Sequence, residues 1–181
     1  MRDRRRGFTR GRFESDSGAK SIQIGRPGPR SLARTQIPNP PLPMVTFSSL
    51  NYFHILVTAI AGFLLGWIWY SALFGSSWRK EMNLTAETLD AAKPMMASMM
   101  IKGFVYTFIS TVGLAAALTW SPHRTAVGGL KLGATIGLLV VGARFANTAI
   151  WERKSAKLQA INIAHEVALF ALQGVILAAW V

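Results

Sequence analysis

With 181 residues, 51% of them apolar and only 15% charged, and a mean hydropathy of +0.30, the chain has the length of one domain and the composition of a membrane protein rather than a soluble one. It has no cysteine, which excludes disulfides, thiolate metal sites and thiol nucleophiles. The formal net charge of +12 is unevenly spread: residues 1–43 hold ten Lys+Arg against three acids, and residues 44–181 hold ten against five.

Residues 1–43 read as a disordered basic tail. Arg2, Arg4, Arg5, Arg6, Arg10 and Arg12 stand among Gly, Ser and Asp with no apolar period of 2 or 3.6. Gly25, Pro27, Gly28 and Pro29, then Pro38, Pro40, Pro41 and Pro43, bar both helix propagation and sheet pairing. Three readings are open for this tail: contact with anionic lipid or nucleic acid through charge, a targeting segment, or an extension ahead of a start at Met44. Base-stacking aromatics are not interleaved with its arginines, so nucleic acid is not expected as a partner. Arg5-Arg6-Gly7-Phe8 is followed by no apolar stretch for about 35 residues, against the compact layout of a signal segment.

The body, residues 44–181, divides into four apolar segments at about 50–74, 94–120, 125–151 and 156–181. No Asp, Glu, Lys or Arg occurs from residue 35 to residue 78. Residues 50–74 suffice to cross about 30 Å of hydrocarbon at 1.5 Å per residue, whereas segments three and four carry charges inside, are marginal inserters alone and, joined by a few residues, read as one helical hairpin. Pro94 suits the first turn of the second helix. The loop 76–93 reads as an interfacial amphipathic segment with Thr85 as a helix cap. Trp69, Tyr70, Trp78 and Trp151, with Trp67, fall at one membrane face, and Trp120 and Trp180, with Tyr52, at the other, as interface anchors. The fold class expected is all-α, a four-helix transmembrane bundle with an N-terminal disordered tail. Arg79, Lys80, Lys93, Arg153, Lys154 and Lys157 place the loops 76–93 and 151–157 in the cytoplasm, against Arg124 alone on the far side of the body. The arginines of the tail argue for the reverse.

Small residues recur every four positions at Thr58, Gly62 and Gly66, and again at Gly129, Gly133 and Gly137, a spacing that lets helix backbones approach closely. One of the two seams is a candidate for oligomerisation. Gln159, Asn162, His165, Glu166 and Gln173 fall within about a 120° arc of the fourth helix. Arg144, Asn147 and Thr148 share a face of the third with Gly133 and Gly137. Arg144 lies roughly 10 Å from one end of its segment and Glu166 roughly 13 Å. A hairpin centred near residues 154–155 then sets Asn147 against Asn162, Arg144 against His165 or Glu166, and Gly137 against Gln173. An unpaired charge in hydrocarbon is costly, so an Arg144–Glu166 pair is expected. Lys102 and Lys131 lie near helix starts and are expected to snorkel.

Gly66, Trp69-Tyr70-Ser71-Ala72-Leu73-Phe74-Gly75 and Trp78 resemble the G-x-x-W-Y-S-P-L-L-F-G-x-x-W signature of the small membrane proteins grouped as domain of unknown function 1761. Asn147, Glu152-Arg153, Lys157-Leu158, Ile161-Asn162, His165, Gly174, Ile176 and Trp180 resemble that family's last hairpin. The resemblance covers about residues 50–181. It implies a four-helix, mostly bacterial membrane protein, hence an inner-membrane location, without an assigned activity. The chain departs from the pattern in Ala72 for proline, a shortened Leu-Phe-Gly run and Glu166 beside the histidine. The first two suggest a less kinked end to helix one.

His54, His123 and His165 are too scattered for a metal-ligand motif, and no nucleophile elbow, phosphate loop or dinucleotide fingerprint occurs, so no metal and no cofactor is expected. The leading reading is a non-enzymatic membrane module, either a partner subunit or a small transport or binding unit. Its polar core is Arg144, Asn147, Asn162, His165, Glu166 and Gln173. The alternative is a membrane enzyme using His165 and Glu166 as acid and base on a lipid-soluble substrate. The partners expected are the lipid bilayer and either a second copy or a membrane protein.

Overall fold

The computed structural model describes residues 46–122 and 124–180. The basic tail, Met44 and His123 lie outside the described residues. Among these there is no strand. A short 3₁₀ turn (Phe47–Ser49) leads into α1 (Tyr52–Ile68), which ends in a π turn (Trp69–Leu73); α2 (Gly75–Glu81) and α3 (Ala86–Ala92) follow. A 3₁₀ turn at Lys93–Met95 opens α4 (Met96–Thr119). Then come α5 (Ala126–Ile136), a second π turn (Gly137–Gly142), α6 (Ala143–Trp151) and α7 (Ala156–Ala178). Four continuous helical stretches, Tyr52–Leu73, Ala86–Thr119, Ala126–Trp151 and Ala156–Ala178, are long and apolar enough to cross a membrane.

Local sequence sets the helix starts. Asn51 Oδ1 accepts from the His54 N–H at 3.1 Å, Thr125 Oγ1 from Gly128 at 3.1 Å and Ser155 Oγ from Leu158 at 3.1 Å, each satisfying an amide that the helix leaves open. Thr85 caps α3 in a reciprocal box with Thr88. The amphipathic segment is therefore two short helices. The second, α3, runs through the turn around Pro94 into α4 and lengthens that stretch to 34 residues. Asn83 and Arg153, both at φ 53°, turn the chain out of α2 and α6.

Helix α7 is the hub of the bundle, packed against α1, α4 and the α5–α6 helix. Ile55, Leu114, Leu118, Leu169, Phe170 and Leu177 form the core. The outer surface is apolar as well: Leu64, Trp67, Ile101, Leu139 and Ile150 are each more than half exposed.

Both small-residue seams are occupied within the chain, and both face α7. A Cβ on Gly129 or Gly133 would meet the carbonyls of Gly174 and Phe170 inside van der Waals contact, and one on Gly137 would lie 2.8 Å from the Glu166 carbonyl oxygen. On the other side, a Cβ on Gly62 would stand 2.7 Å from Gln173 Nε2, and one on Gly66 would stand 3.2 Å from His165 Nε2. The α5–α7 contact is thus backbone against backbone, a geometry open only to glycine.

The third helix does not keep one phase. Its buried positions run Gly129, Gly133, Gly137, then Gly142 and Ala149. The five-residue step is the π turn, whose extra residue sets everything after it back by about 100°. Arg144, Asn147 and Thr148 consequently leave the seam and are exposed.

Candidate functional site

At the end of α1 the helix widens where Ala72 replaces the proline of the family pattern, so the expected straighter end is instead a π turn. Trp69 and Tyr70 there turn inward onto α7 rather than out to an interface. Trp69 Nε1 donates to the Ile161 carbonyl at 3.2 Å, and the Tyr70 hydroxyl donates to Asn162 Oδ1 at 3.2 Å. Their rings flank His165, with centroids 5.8 Å (edge-on) and 4.8 Å away. Trp78 packs on Tyr70 at 5.4 Å and Phe74 on Trp69 at 4.7 Å. The other anchors stay outside: Trp151 is 82% exposed, and Trp120 and Trp180 are exposed as well.

His165 is buried, and its Nδ1 lies 3.2 Å from Glu166 Oε1. Its Nε2 is buried without a hydrogen-bond partner and faces Gly66, where no side chain intervenes. With the Nδ1 proton held by Glu166, Nε2 presents a lone pair. The cluster thus offers a hydrogen-bond acceptor, two aromatic faces and a carboxylate.

A cavity of about 270 Å³ lies at the end carrying α2 and α3, and of the cluster residues Asn162 alone lines it. It is lined by Met82, Phe145, Thr148, Leu158, Gln159 and Asn162, with Glu152 and Lys154 at its charged margin. Asn162 belongs to both cavity and cluster. Helix α2 is pinned beside it: the Ser155 hydroxyl donates to Glu81 Oε2 at 2.6 Å, and Lys157 Nζ lies 3.7 Å from Glu81 Oε1.

Of the polar core expected from the sequence, the structure brings Asn162, His165 and Glu166 together, and the three predicted layers do not form. Arg144 is exposed and makes no ion pair among the described residues; the group beside Glu166 is His165. Asn147 is exposed and accepts from Trp151 Nε1 at 3.0 Å, while Asn162 is bonded to Tyr70. Gln173 is fully buried two turns beyond the Glu166–Gly137 contact, and its Nε2 donates to Thr111 Oγ1 at 2.9 Å. Two causes act together. Backbone contact at the α5 face of α7 leaves no room for side chains there, so the polar stripe turns to α1 and α4. The π turn then rotates Arg144 and Asn147 outward. Lys102 and Lys131 are exposed.

Sequence reasoning missed Trp69, Tyr70, Gly66 and Thr111 as partners of this stripe. The signal was present: Asn162, His165 and Leu169 on α7 span about 10 Å of rise and Gly62, Gly66 and Tyr70 on α1 about 12 Å, so a polar stripe could be matched to a small-residue stripe. Among the described residues no group of His, Asp and Glu could hold a metal ion.

Residues 53–178 of this helical bundle match the family described as Protein of unknown function (DUF1761). The chain belongs to this family. No curated protein and no solved structure matches it.

Proposed function

We propose that the chain is a non-enzymatic, four-spanning membrane module that binds a small polar, hydrogen-bond-donating ligand at the Trp69–Tyr70–Asn162–His165–Glu166 cluster. Membrane embedding is supported by the four long apolar helices and by an exterior of large apolar side chains, which hydrocarbon solvates and water does not. By the positive-inside rule the loops 76–93 and 151–157 face the cytoplasm of a bacterial inner membrane, and the 270 Å³ cavity opens on that side.

The observation that carries the binding reading is the free Nε2 of His165. In a clamp every buried polar group is consumed by a partner, because an unmet one costs about 1–3 kcal/mol. Tyr70–Asn162 and Trp69–Ile161 already tie α1 to α7, and they leave Nε2 over; Gln173 Oε1, two turns further along α7, is left without a partner as well, but it lies away from the Trp69–Tyr70 rings and the Glu166 carboxylate. A ligand N–H or O–H meets it, flanked by two π faces and the Glu166 carboxylate.

Diethyl pyrocarbonate, which acylates an accessible unprotonated imidazole, tests this on the full chain in proteoliposomes. The expected result is modification of His165 in the folded protein, read by peptide mass. If His165 reacts only after denaturation while His54 reacts in both states, the cluster is a dry clamp and the proposal fails.

A further inference from the structure

A second cavity, of about 340 Å³, lies at the opposite end of the bundle, between the start of α1 and the ends of α4 and α7. Its floor is apolar, with Ile55, Leu118 and Leu177 almost fully buried. Its rim is polar and aromatic. The His54 and Trp180 rings meet on one side, tilted by 50° with centroids 4.5 Å apart. Arg124 stands on the other, where its Nη2 donates to the Thr119 carbonyl at 2.9 Å. That bond holds the guanidinium at the cavity and engages one of its five N–H donors.

Among the described residues the charged side chains at this end have one sign. All five acids of the body, Glu81, Glu87, Asp90, Glu152 and Glu166, lie in α2, α3, the α6–α7 turn or the first half of α7, toward the other end. Arg124 therefore has no carboxylate partner among the described residues of its own end. An arginine fork over an apolar floor is complementary to an anionic group carrying hydrocarbon, and the fork matches phosphate oxygens in pairs. Arg124 sits just past the end of one long apolar helix and just before the next, at headgroup depth if those helices span the bilayer.

We infer that this cavity is a binding site for an anionic phospholipid, with the phosphodiester on Arg124, the His54–Trp180 pair at the glycerol level and the start of an acyl chain against Ile55, Leu118 and Leu177. The inference rests on the membrane-spanning part of the proposed function and is independent of the His165 cluster.

Native mass spectrometry of the full chain in non-ionic detergent, titrated with dioleoyl phosphatidylglycerol or dioleoyl phosphatidylcholine, tests it. The expected result is one phosphatidylglycerol retained about fivefold better than phosphatidylcholine, the advantage worth one basic contact at a membrane surface. Arg124→Gln abolishes the preference and Lys102→Gln leaves it intact. Ala115→Phe, which fills the cavity without touching charge, lowers retention of the first bound lipid. Equal retention of the two lipids by the unaltered chain, or an unchanged preference in Arg124→Gln, overturns the site. Displacement by millimolar inorganic phosphate overturns it also, because a headgroup-only anion site needs no apolar floor. Carbonate washing separates the two levels. A chain that carbonate strips from membranes refutes the spanning reading and this inference with it, whereas a carbonate-resistant chain without lipid preference refutes this inference alone.

Discussion

Replacing Gly133 by alanine probes the contact on which the bundle is built. The new Cβ would lie 2.7 Å from the Phe170 carbonyl carbon and 3.1 Å from the Ala171 nitrogen, and closer still to the Phe170 oxygen. All three are backbone atoms of α7, so no side chain can swing aside, and α5 and α7 must separate by about 1 Å. A gap of that size forfeits up to about half the attraction of each atom pair across the seam. Overpacking of this kind costs about 1–3 kcal/mol. Alanine is worth about 0.5–1 kcal/mol more than glycine within a helix, which offsets part of the loss. The net expectation for Gly133→Ala is destabilisation by about 1–2 kcal/mol. Gly113 in α4 is the internal control, because nothing lies within 4 Å of its added Cβ. Gly113→Ala is expected to stabilise by about 0.5–1 kcal/mol. Unfolding in mixed micelles with increasing dodecyl sulfate, followed by far-ultraviolet circular dichroism, measures both. A Gly133→Ala chain as stable as the unaltered one, or equal losses in the two variants, would refute the backbone contact between α5 and α7.

The same unfolding assay checks three further outcomes. Thr111→Val leaves the Gln173 amide without its acceptor in a fully buried setting and is expected to cost about 1–3 kcal/mol; Thr111→Val combined with Gln173→Leu recovers part of that loss. Arg144→Gln is expected to change stability by no more than about 0.5 kcal/mol, since the side chain is exposed and carries no ion pair; a loss of several kcal/mol would restore the Arg144–Glu166 pairing. Thr85→Ala removes the α3 capping box at a local cost of about 0.5–2 kcal/mol. Hydrogen exchange should quicken across Ala86–Ala92 while α7 remains protected.

The four long helices were legible because apolar runs of spanning length are bounded by caps and charged turns that act locally: Asn51, Thr85, Thr125 and Ser155 each stand where a helix begins. The glycine rows were legible for the same reason, since a spacing of four needs only one continuous α-helix. The partners across the seams were not. Placing Arg144 beside Glu166 assumes 100° per residue through the whole third helix, and the π turn breaks that assumption between Gly137 and Gly142. The step from Gly137 to Gly142, five residues after two steps of four, is the trace it leaves in the sequence. The register failed for a related reason. Gly129 and Gly133 draw α5 onto the carbonyls of Gly174 and Phe170, so Gly137 meets Glu166, two turns from the Gln173 that a symmetric hairpin suggests. Trp69 and Tyr70 read as interface anchors because their position along the helix suits one. Only the widened turn at the end of α1 and the side-chain-free strip at Gly62 and Gly66 explain why they fold onto His165 instead.

The central claim is that the polar stripe of α7 faces α1 and is reached by water from the α2–α3 end. Because the chain has no cysteine of its own, single cysteines at Asn162, Gln173 and Lys154 can be read without background. In proteoliposomes of known orientation, a membrane-impermeant maleimide added from the α2–α3 side is expected to label Lys154→Cys and Asn162→Cys. It should leave Gln173→Cys, enclosed by α1, α4 and α7, unmodified. Labelling at residue 154 with none at residue 162 would contradict the account and leave the His165 cluster as a sealed joint between two helices.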